Sequence, residues 1–219
     1  MSINKEVSTW IKKNSISYSS CERLDRTPLK GEVEKLAIDM DNCEQSEGLS
    51  VLEHGIMVYQ YFEDLYSHLA LGHPLKYEWK LPEWLSSDVL KSVMERDIVK
   101  CYMVFHDCGK PYCLTIDEDG RRHFPDHAKV SQETWLAIGG CPTVANLIRM
   151  DMDIHLLKDV GVEDFANRKE AITLLIAGLC EIHANASMFG GIESTSFKMK
   201  WKQINKRGKK IVNIVNNKS

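Results

Sequence analysis

The chain has 219 residues, of which 43% are hydrophobic and 27% are charged, the balance of an ordinary globular protein. At this length folding buries roughly 70% of the surface of the unfolded chain, so a hydrophobic core can form without disulfides or a structural metal. No run of about 18 apolar residues stands out, and the N-terminus has no unbroken apolar stretch that would indicate a signal peptide. We therefore expect a soluble, cytoplasmic protein.

The cysteines and the distribution of charge further limit the classes of protein that fit this sequence. The seven cysteines are an odd number and form no CxxC pair, which argues against a disulfide framework and a zinc ribbon. The net charge is −3, yet no acidic residue follows Glu193, whereas eight lysines and arginines do. This basic C-terminal segment, residues 194–219, either contacts phosphate or RNA or docks on the domain with its lysines in solvent. We favour docking.

The predicted elements are mainly helices. We expect residues 1–48 to form a polar N-terminal extension packed on the domain, with helices predicted near residues 7–13 and 33–40. Apolar residues at intervals of three and four from Ser50 to Leu69 predict a helix with His54 on its apolar stripe. Further helices are predicted at about 86–106, 126–138, 143–156, 168–188 and from about 197 through the basic segment. Asp119-Gly120 predicts a β-hairpin within residues 112–124. The expected fold is an all-α bundle with one small hairpin, its central domain spanning residues 49–193.

A pair of potential metal ligands, His106 and Asp107, ends one predicted helix. Neighbouring side chains on a helix point about 100° apart, so both can reach one ion only if it lies beside the helix end. An imidazole and a carboxylate suit a divalent transition metal or Mg²⁺. Taken alone, the pair is more often a capping aspartate beside a hydrogen-bonded histidine.

Other helices offer polar groups in apolar surroundings. His54 lies on the buried stripe of its helix, and Glu181 and His183 interrupt the apolar residues of the helix near 171–188. Buried ionisable groups need a partner, and a metal ion is one such partner. Helical bundles build metal sites in this way, from side chains on facing helices.

The order of these residues resembles a known family. His54, then His106-Asp107, then an acid in a late helix is similar to the HD superfamily of metal-dependent phosphohydrolases. More narrowly, VFHDCGKP at 104–111 and FPDHAKVS at 124–131 resemble the HD domain of bacterial CCA-adding tRNA nucleotidyltransferases. No Gly-Ser motif followed by paired aspartates is present, so we expect no nucleotidyltransferase head, and the resemblance does not imply addition of nucleotides to tRNA. The resemblance covers roughly residues 50–190.

The resemblance implies a helical domain that holds a divalent ion (Mn, Ni, Co or Mg) with His54, His106, Asp107 and a fourth ligand. An aspartate is expected at the fourth position, but this chain has Leu-Cys-Glu-Ile-His at 179–183. We predict Glu181 as the fourth ligand, and His183 is the alternative. Catalytic roles are expected for Asp107, His127 and Lys110, with Asp107 bridging ion and nucleophile and His127 protonating the leaving oxygen.

Substrate contacts are predicted around this group. The candidates are Lys110, Arg121, Arg122, His127, Lys129, Asp151, His155 and His183. Asp151 and His155 are four residues apart and share one helix face, either lining the pocket or forming an ordinary surface pair. The expected activity is hydrolysis of a phosphate ester of a nucleotide or an RNA end, as a phosphatase, nucleotidase or cyclic phosphodiesterase. The alternative is a non-catalytic module that binds a nucleotide or RNA, with RNA contact through the basic C-terminal segment as one possibility.

Overall fold

The structure, a computed structural model, describes residues 30–217, so the predicted helix at residues 7–13 lies outside it. The described chain is mostly helical with two small antiparallel hairpins, which confirms the all-α class. In chain order the elements are α1 (Lys30–Asp41), β1 (Glu44–Ser46), β2 (Leu49–Ser50), α2 (Val51–Leu71), α3 (Ser87–Lys91), α4 (Arg96–Phe105), α5 (Lys110–Cys113), β3 (Thr115–Ile116), β4 (Arg122–His123), α6 (His127–Ala137), α7 (Pro142–Arg149), α8 (Asp153–Leu156), a 3-10 turn (Asp159–Gly161), α9 (Val162–Ala166), α10 (Ala171–Met188) and α11 (Thr195–Asn216).

The chain forms two compact units, each assembled from separate stretches of sequence. Within the described residues, the first unit comprises residues 30–56 and 95–150, and the second comprises residues 57–94 and 151–217. These boundaries do not coincide with those expected near residues 48 and 193. Helix α2 contributes residues to both units.

The core of the first unit is built around α4, whose residues Val99, Val104 and Phe105 are fully buried. Helix α7 packs on α4, and α6 packs on α7. Trp135 of α6 is also fully buried, with its ring centroid 5.2 Å from that of Phe105. A tight helical core therefore lies directly beneath the end of α4, where His106 follows.

Each unit-one hairpin is short. β3 pairs with β4 through Thr115 and His123, which confirms the predicted hairpin. β1 pairs with β2 around Gly48, whose φ of +73° is a backbone conformation that favours glycine. The β1–β2 hairpin was not predicted, because strands of two and three residues carry no readable alternation.

The core of the second unit is α10, which packs against α8, α9 and α11. By length and composition α10 is apolar enough to cross a membrane, but 78% of it is buried within the protein, so it is a core helix. Helix α11 contains most of the basic C-terminal segment and buries Phe197, Ile204, Ile211 and Val212. Trp201 is partly buried, and its indole N–H donates to the carbonyl of Lys80 at 2.7 Å. The segment thus docks on its unit, as favoured from the sequence.

Two predicted helices are each divided in the structure. The helix predicted at 86–106 is α3 and α4, and the helix predicted at 143–156 is α7 and α8. In the first case the N–H of Met94 donates to Thr173 Oγ1 at 3.0 Å rather than to a carbonyl of its own helix. A side chain 79 residues away therefore sets this boundary.

Candidate metal centre

Three of the predicted metal ligands converge in the first unit. One ligand atom from each of His54, His106 and Asp107 lies within 4.8 Å of the others. All three residues are buried, with at most 3% of their surface exposed. Ligands bonded at about 2.1 Å to one ion lie up to about 4.2 Å apart, so side-chain shifts of under about 1 Å would bring these atoms into coordination. The donor set and its compactness fit a divalent ion.

The start of α2 places His54 in this group. Ser50 Oγ accepts the N–H of Glu53 at 3.1 Å, and Glu53 Oε2 accepts the N–H of Ser50 at 2.8 Å, which is a reciprocal capping box. At the next residue, Gly55, an added Cβ would lie 2.1 Å from the carbonyl oxygen of Val104. Glycine therefore permits a backbone contact between α2 and α4 that brings His54 to the end of α4.

The ring of His106 is held by its own helix. His106 follows the last residue of α4, and its Nδ1–H donates to the carbonyl of Met103 at 2.8 Å. Because a carbonyl can only accept, the proton of a neutral ring is on Nδ1, and Nε2 keeps the lone pair that a metal requires. The His54 ring lies at an angle of 63° to it, with the centroids 5.3 Å apart.

Asp107 is the anionic member of the group. Its Oδ2 lies 3.1 Å from His106 Nε2 and 2.6 Å from Lys110 Nζ. Burial alone would raise the pKa of Asp107, but His106, Lys110 and His54 hold it well below its usual value. An ionised carboxylate and an imidazole lone pair at 3.1 Å repel unless a cation, either a proton or a metal ion, lies between them. This is the chemical feature that best fits metal binding.

Lys110 and His127 border the group, as predicted. Lys110 Nζ bridges Asp107 and Gln45 Oε1, the latter at 3.0 Å, and lies 5.2 Å from the ring centroid of Phe124. His127 Nδ1 donates to the carbonyl of Phe124 at 3.1 Å, and its Nε2 lies 3.8 Å from Asp107 Oδ1. His127 is partly exposed, so it can meet both the carboxylate and a ligand arriving from solvent.

The turn after Asp107 is fixed by α6. The N–H of Gly109 donates to Ser131 Oγ at 2.8 Å, and a Cβ on Gly109 would lie 2.3 Å from the backbone nitrogen of Ser131. Sequence reasoning assigned no role to Ser131 or Gln45. Ser131 ends the motif at 124–131, which was a usable signal, whereas nothing in the sequence marked Gln45.

The remaining predicted cations of this unit have other partners. Arg122 forms an ion pair with Glu44, joining the two hairpins. Arg121 lies 3.8 Å from Asp119, and Lys129 lies 3.8 Å from Glu133, all four side chains being exposed. Their substrate contacts remain predictions that no contact within the group supports.

The two candidates for the fourth ligand belong to the second unit and have protein partners there. Glu181 Oε2 lies 2.8 Å from His155 Nε2. His183 Nδ1 donates to the carbonyl of Leu179 at 2.8 Å, and its Nε2 accepts the N–H of Lys80 at 3.1 Å. With both nitrogens engaged and no exposed surface, His183 has no atom left for a metal or a substrate. The described metal group contains neither residue.

His155 interacts with Glu181 and, more weakly, with Asp151, which lies outside α8. Burial would lower the pKa of His155, but Glu181, assisted by Asp151, raises it. Asp151 itself is buried. His155 lines a cavity within the second unit, which bears on its predicted role in ligand binding.

Comparison with known proteins adds no family assignment. No protein-family model matches the chain, and a search of curated proteins found no significant match. The likeness to HD phosphohydrolases therefore rests on the residues and geometry described above.

Proposed function

We propose that the protein is a metal-dependent phosphohydrolase of the HD type that cleaves a phosphate ester of a nucleotide or an RNA end. The observation that carries this proposal is the buried group of His54, His106 and Asp107, whose ligand atoms lie within 4.8 Å of one another. Mn, Ni and Co ions bind both imidazole and carboxylate ligands, and Mg binds the carboxylate. Three protein ligands leave coordination positions for water and substrate.

A divalent ion bound there would lower the pKa of a water molecule and withdraw charge from a phosphoryl oxygen. The surrounding residues supply the rest of the chemistry. Asp107, kept ionised, would orient the nucleophile, and Lys110, whose ammonium lies 2.6 Å from Asp107, would offset the negative charge of the phosphate. The carbonyl of Phe124 accepts the Nδ1–H of His127 and so keeps a proton on that nitrogen. Nε2 would then take up a second proton and pass it to a leaving oxygen.

A non-catalytic nucleotide- or RNA-binding module is the second candidate. One observation favours it: Glu181, the residue predicted to complete the metal site, is paired with His155. Lys110 also already neutralises Asp107. In this alternative Lys110 and His127 would bind phosphate without cleaving it.

Metal dependence separates the two candidates. We expect the purified protein to bind Mn²⁺, Ni²⁺ or Co²⁺, and to release phosphate from a nucleoside mono-, di-, tri- or cyclic phosphate in a chelator-sensitive reaction. The Asp107→Asn substitution keeps the shape but removes the anionic ligand, so metal affinity and turnover should fall by more than about 100-fold, beyond the loss typical of mutating an outer-shell partner. Elemental analysis and phosphate release measure the two effects.

Asp119→Asn is the matched control, because it makes the same change at an exposed carboxylate of the β3–β4 hairpin. Its metal content and turnover should equal those of the wild type. Wild-type turnover by the Asp107→Asn variant would refute the hydrolase. Ligand binding that a chelator does not alter, with no turnover on any substrate, would support the binding module.

A further inference from the structure

A cavity of about 290 Å³ lies within the second unit, between α8, α10 and α11. Its polar lining consists of His155, Glu181, Asn185, Lys200, Gln203 and Arg207. The α10 residues are four apart, and the α11 residues are spaced by three and four, so each helix presents one face to the cavity. None of these residues belongs to the group of His54, His106 and Asp107.

Arg207 is fixed at the wall of this cavity. Its Nη1 donates to the carbonyls of Ile154 and His155, at 3.0 and 3.1 Å. Both carbonyls belong to the end of α8, where the helix itself supplies no N–H to them. Among the described residues, Nη2 and Nε of Arg207 have no hydrogen-bond acceptor. Burial lowers the pKa of Arg207, because the guanidinium is partly desolvated, and Asp159 acts in the opposite direction. An arginine anchored by one nitrogen presents the others as a pre-organised fork for an oxyanion.

Two cations, Lys200 and Arg207, line the cavity besides the pair of His155 and Glu181. His155 and Glu181 form an internal ion pair at 2.8 Å. On the same helix as Lys200, Lys198 pairs with Glu193 and Lys206 pairs with Asp159. Within the described residues, no carboxylate lies within ion-pair distance of Lys200. Lys200 and Arg207 therefore provide two positive charges without a close carboxylate, since Asp159, which acts on Arg207 from farther away, pairs with Lys206 and Lys210.

We propose that this cavity binds a small phosphate monoester. A phosphate monoester is close to a dianion at neutral pH, since its second pKa is about 6, and it matches the two cations. The amides of Asn185 and Gln203 offer donors and acceptors for hydroxyl or base atoms, and Met152, Ile182 and Ile204 supply an apolar wall for the body of the ligand. This binding does not depend on the proposed hydrolase activity.

The test measures binding with the metal group disabled. Titration calorimetry on the full-length Asp107→Asn protein in EDTA would use the four ribonucleoside 5′-monophosphates, the matching nucleosides and inorganic phosphate. We expect at least one monophosphate to bind, and its nucleoside to bind at least about tenfold more weakly, because charge-assisted hydrogen bonds are lost. Lys200→Ala should weaken binding about tenfold or more.

Lys202→Ala is the matched control, since Lys202 is an exposed lysine on the same helix and is not part of the cavity lining. It should leave the affinity unchanged. Arg207→Lys, which keeps the charge but loses the fork, should weaken binding, and if it lowers the melting temperature Lys200→Ala decides instead. The proposal is overturned if no monophosphate binds, if the nucleosides bind equally well, or if the two lysine variants behave alike. EDTA removes metal ions and Asp107→Asn removes the anionic metal ligand. None of these results therefore tests the proposed hydrolase activity.

Discussion

The role of each buried histidine is decided by what its two ring nitrogens contact. His106 donates one N–H to a carbonyl and so keeps a lone pair directed at Asp107, whereas His183 uses both nitrogens within the backbone around it. Both residues follow apolar stretches of sequence, so the sequence alone could not separate a ligand from a core residue. The difference arises because the loop containing Lys80, about 100 residues earlier in the chain, supplies the N–H that Nε2 of His183 accepts.

The neutral state of His183 makes the stability of the protein dependent on pH. Burial lowers the pKa of His183 to about 4, whereas an unfolded histidine titrates near 6.5. The unfolded chain therefore binds the proton first, and this contribution is complete above about pH 6.5 and lost as the pH falls to about 4. We expect a loss of up to about 3 kcal/mol over that window.

Chemical denaturation of the wild type and a His183→Gln variant between pH 4 and pH 8 measures this effect. The variant should be less stable at pH 8, and the difference in unfolding free energy should shrink by up to about 3 kcal/mol as the pH falls to 4. A difference that is constant across the range would show that His183 does not carry the proton linkage.

Among the helices and hairpins, sequence patterns predicted those elements that are determined by interactions between neighbouring residues. The periodic stripes of α2, α6 and α10 and the Asp-Gly turn of the β3–β4 hairpin rest on nearby residues, and these elements are present near their predicted positions. The break between α3 and α4 depends on Thr173, and no pattern near residue 94 could reveal it. Likewise His54, His106 and Asp107 were identifiable as a group, but Gln45 reaches Lys110 only through the fold.

The packing of α2 against α4 can be tested at Gly55. A Gly55→Ala substitution places a Cβ 2.1 Å from the backbone oxygen of Val104, so the two helices must separate and His54 must move away from His106. We expect a loss of about 1–3 kcal/mol of stability, as for other overpacked cores, together with weaker metal binding. Thermal unfolding and metal titration measure the two effects.

Gly31→Ala is the matched control. Gly31 also lies in a helix, α1, but an added Cβ would meet nothing within 4 Å. Alanine is the better helix former there, so stability should stay constant or rise by up to about 1 kcal/mol, with metal binding unchanged. Equal effects of the two substitutions would refute the close approach at Gly55.

At the scale of the whole molecule, the basic C-terminal segment is part of the core rather than an appendage. Gly208 of α11 packs so closely on Trp84 that a Cβ would lie 2.4 Å from the indole, and Trp84 Nε1 donates to Asn205 at 3.0 Å. Seven of the eight basic residues after Glu193 therefore lie on a helix whose opposite side is covered. The charge pattern, for which docking on the domain was favoured over contact with phosphate or RNA, belongs to a structural helix.

Removing this helix should unfold the second unit. A chain that ends at Glu193 loses the burial of Phe197, Ile204, Ile211 and Val212, each contributing about 1.5–3 kcal/mol. We expect it to lose its cooperative thermal transition in part or in full, as measured by circular dichroism. A chain that ends at Asn217 should melt like the wild type. A full cooperative transition in the shorter chain would show that α11 is dispensable.

The ion pair between Lys110 and Asp107 affects the order of folding and metal binding. The Lys110 ammonium already neutralises the carboxylate of Asp107 at 2.6 Å and donates a hydrogen bond to Gln45. A newly made chain can therefore complete its folding without waiting for an ion, unlike a zinc finger, whose metal supplies the folding energy. Binding of the proposed ion would then exchange one cation for another, and it would leave the Lys110 ammonium beside the site, where a phosphate of the proposed substrate would lie.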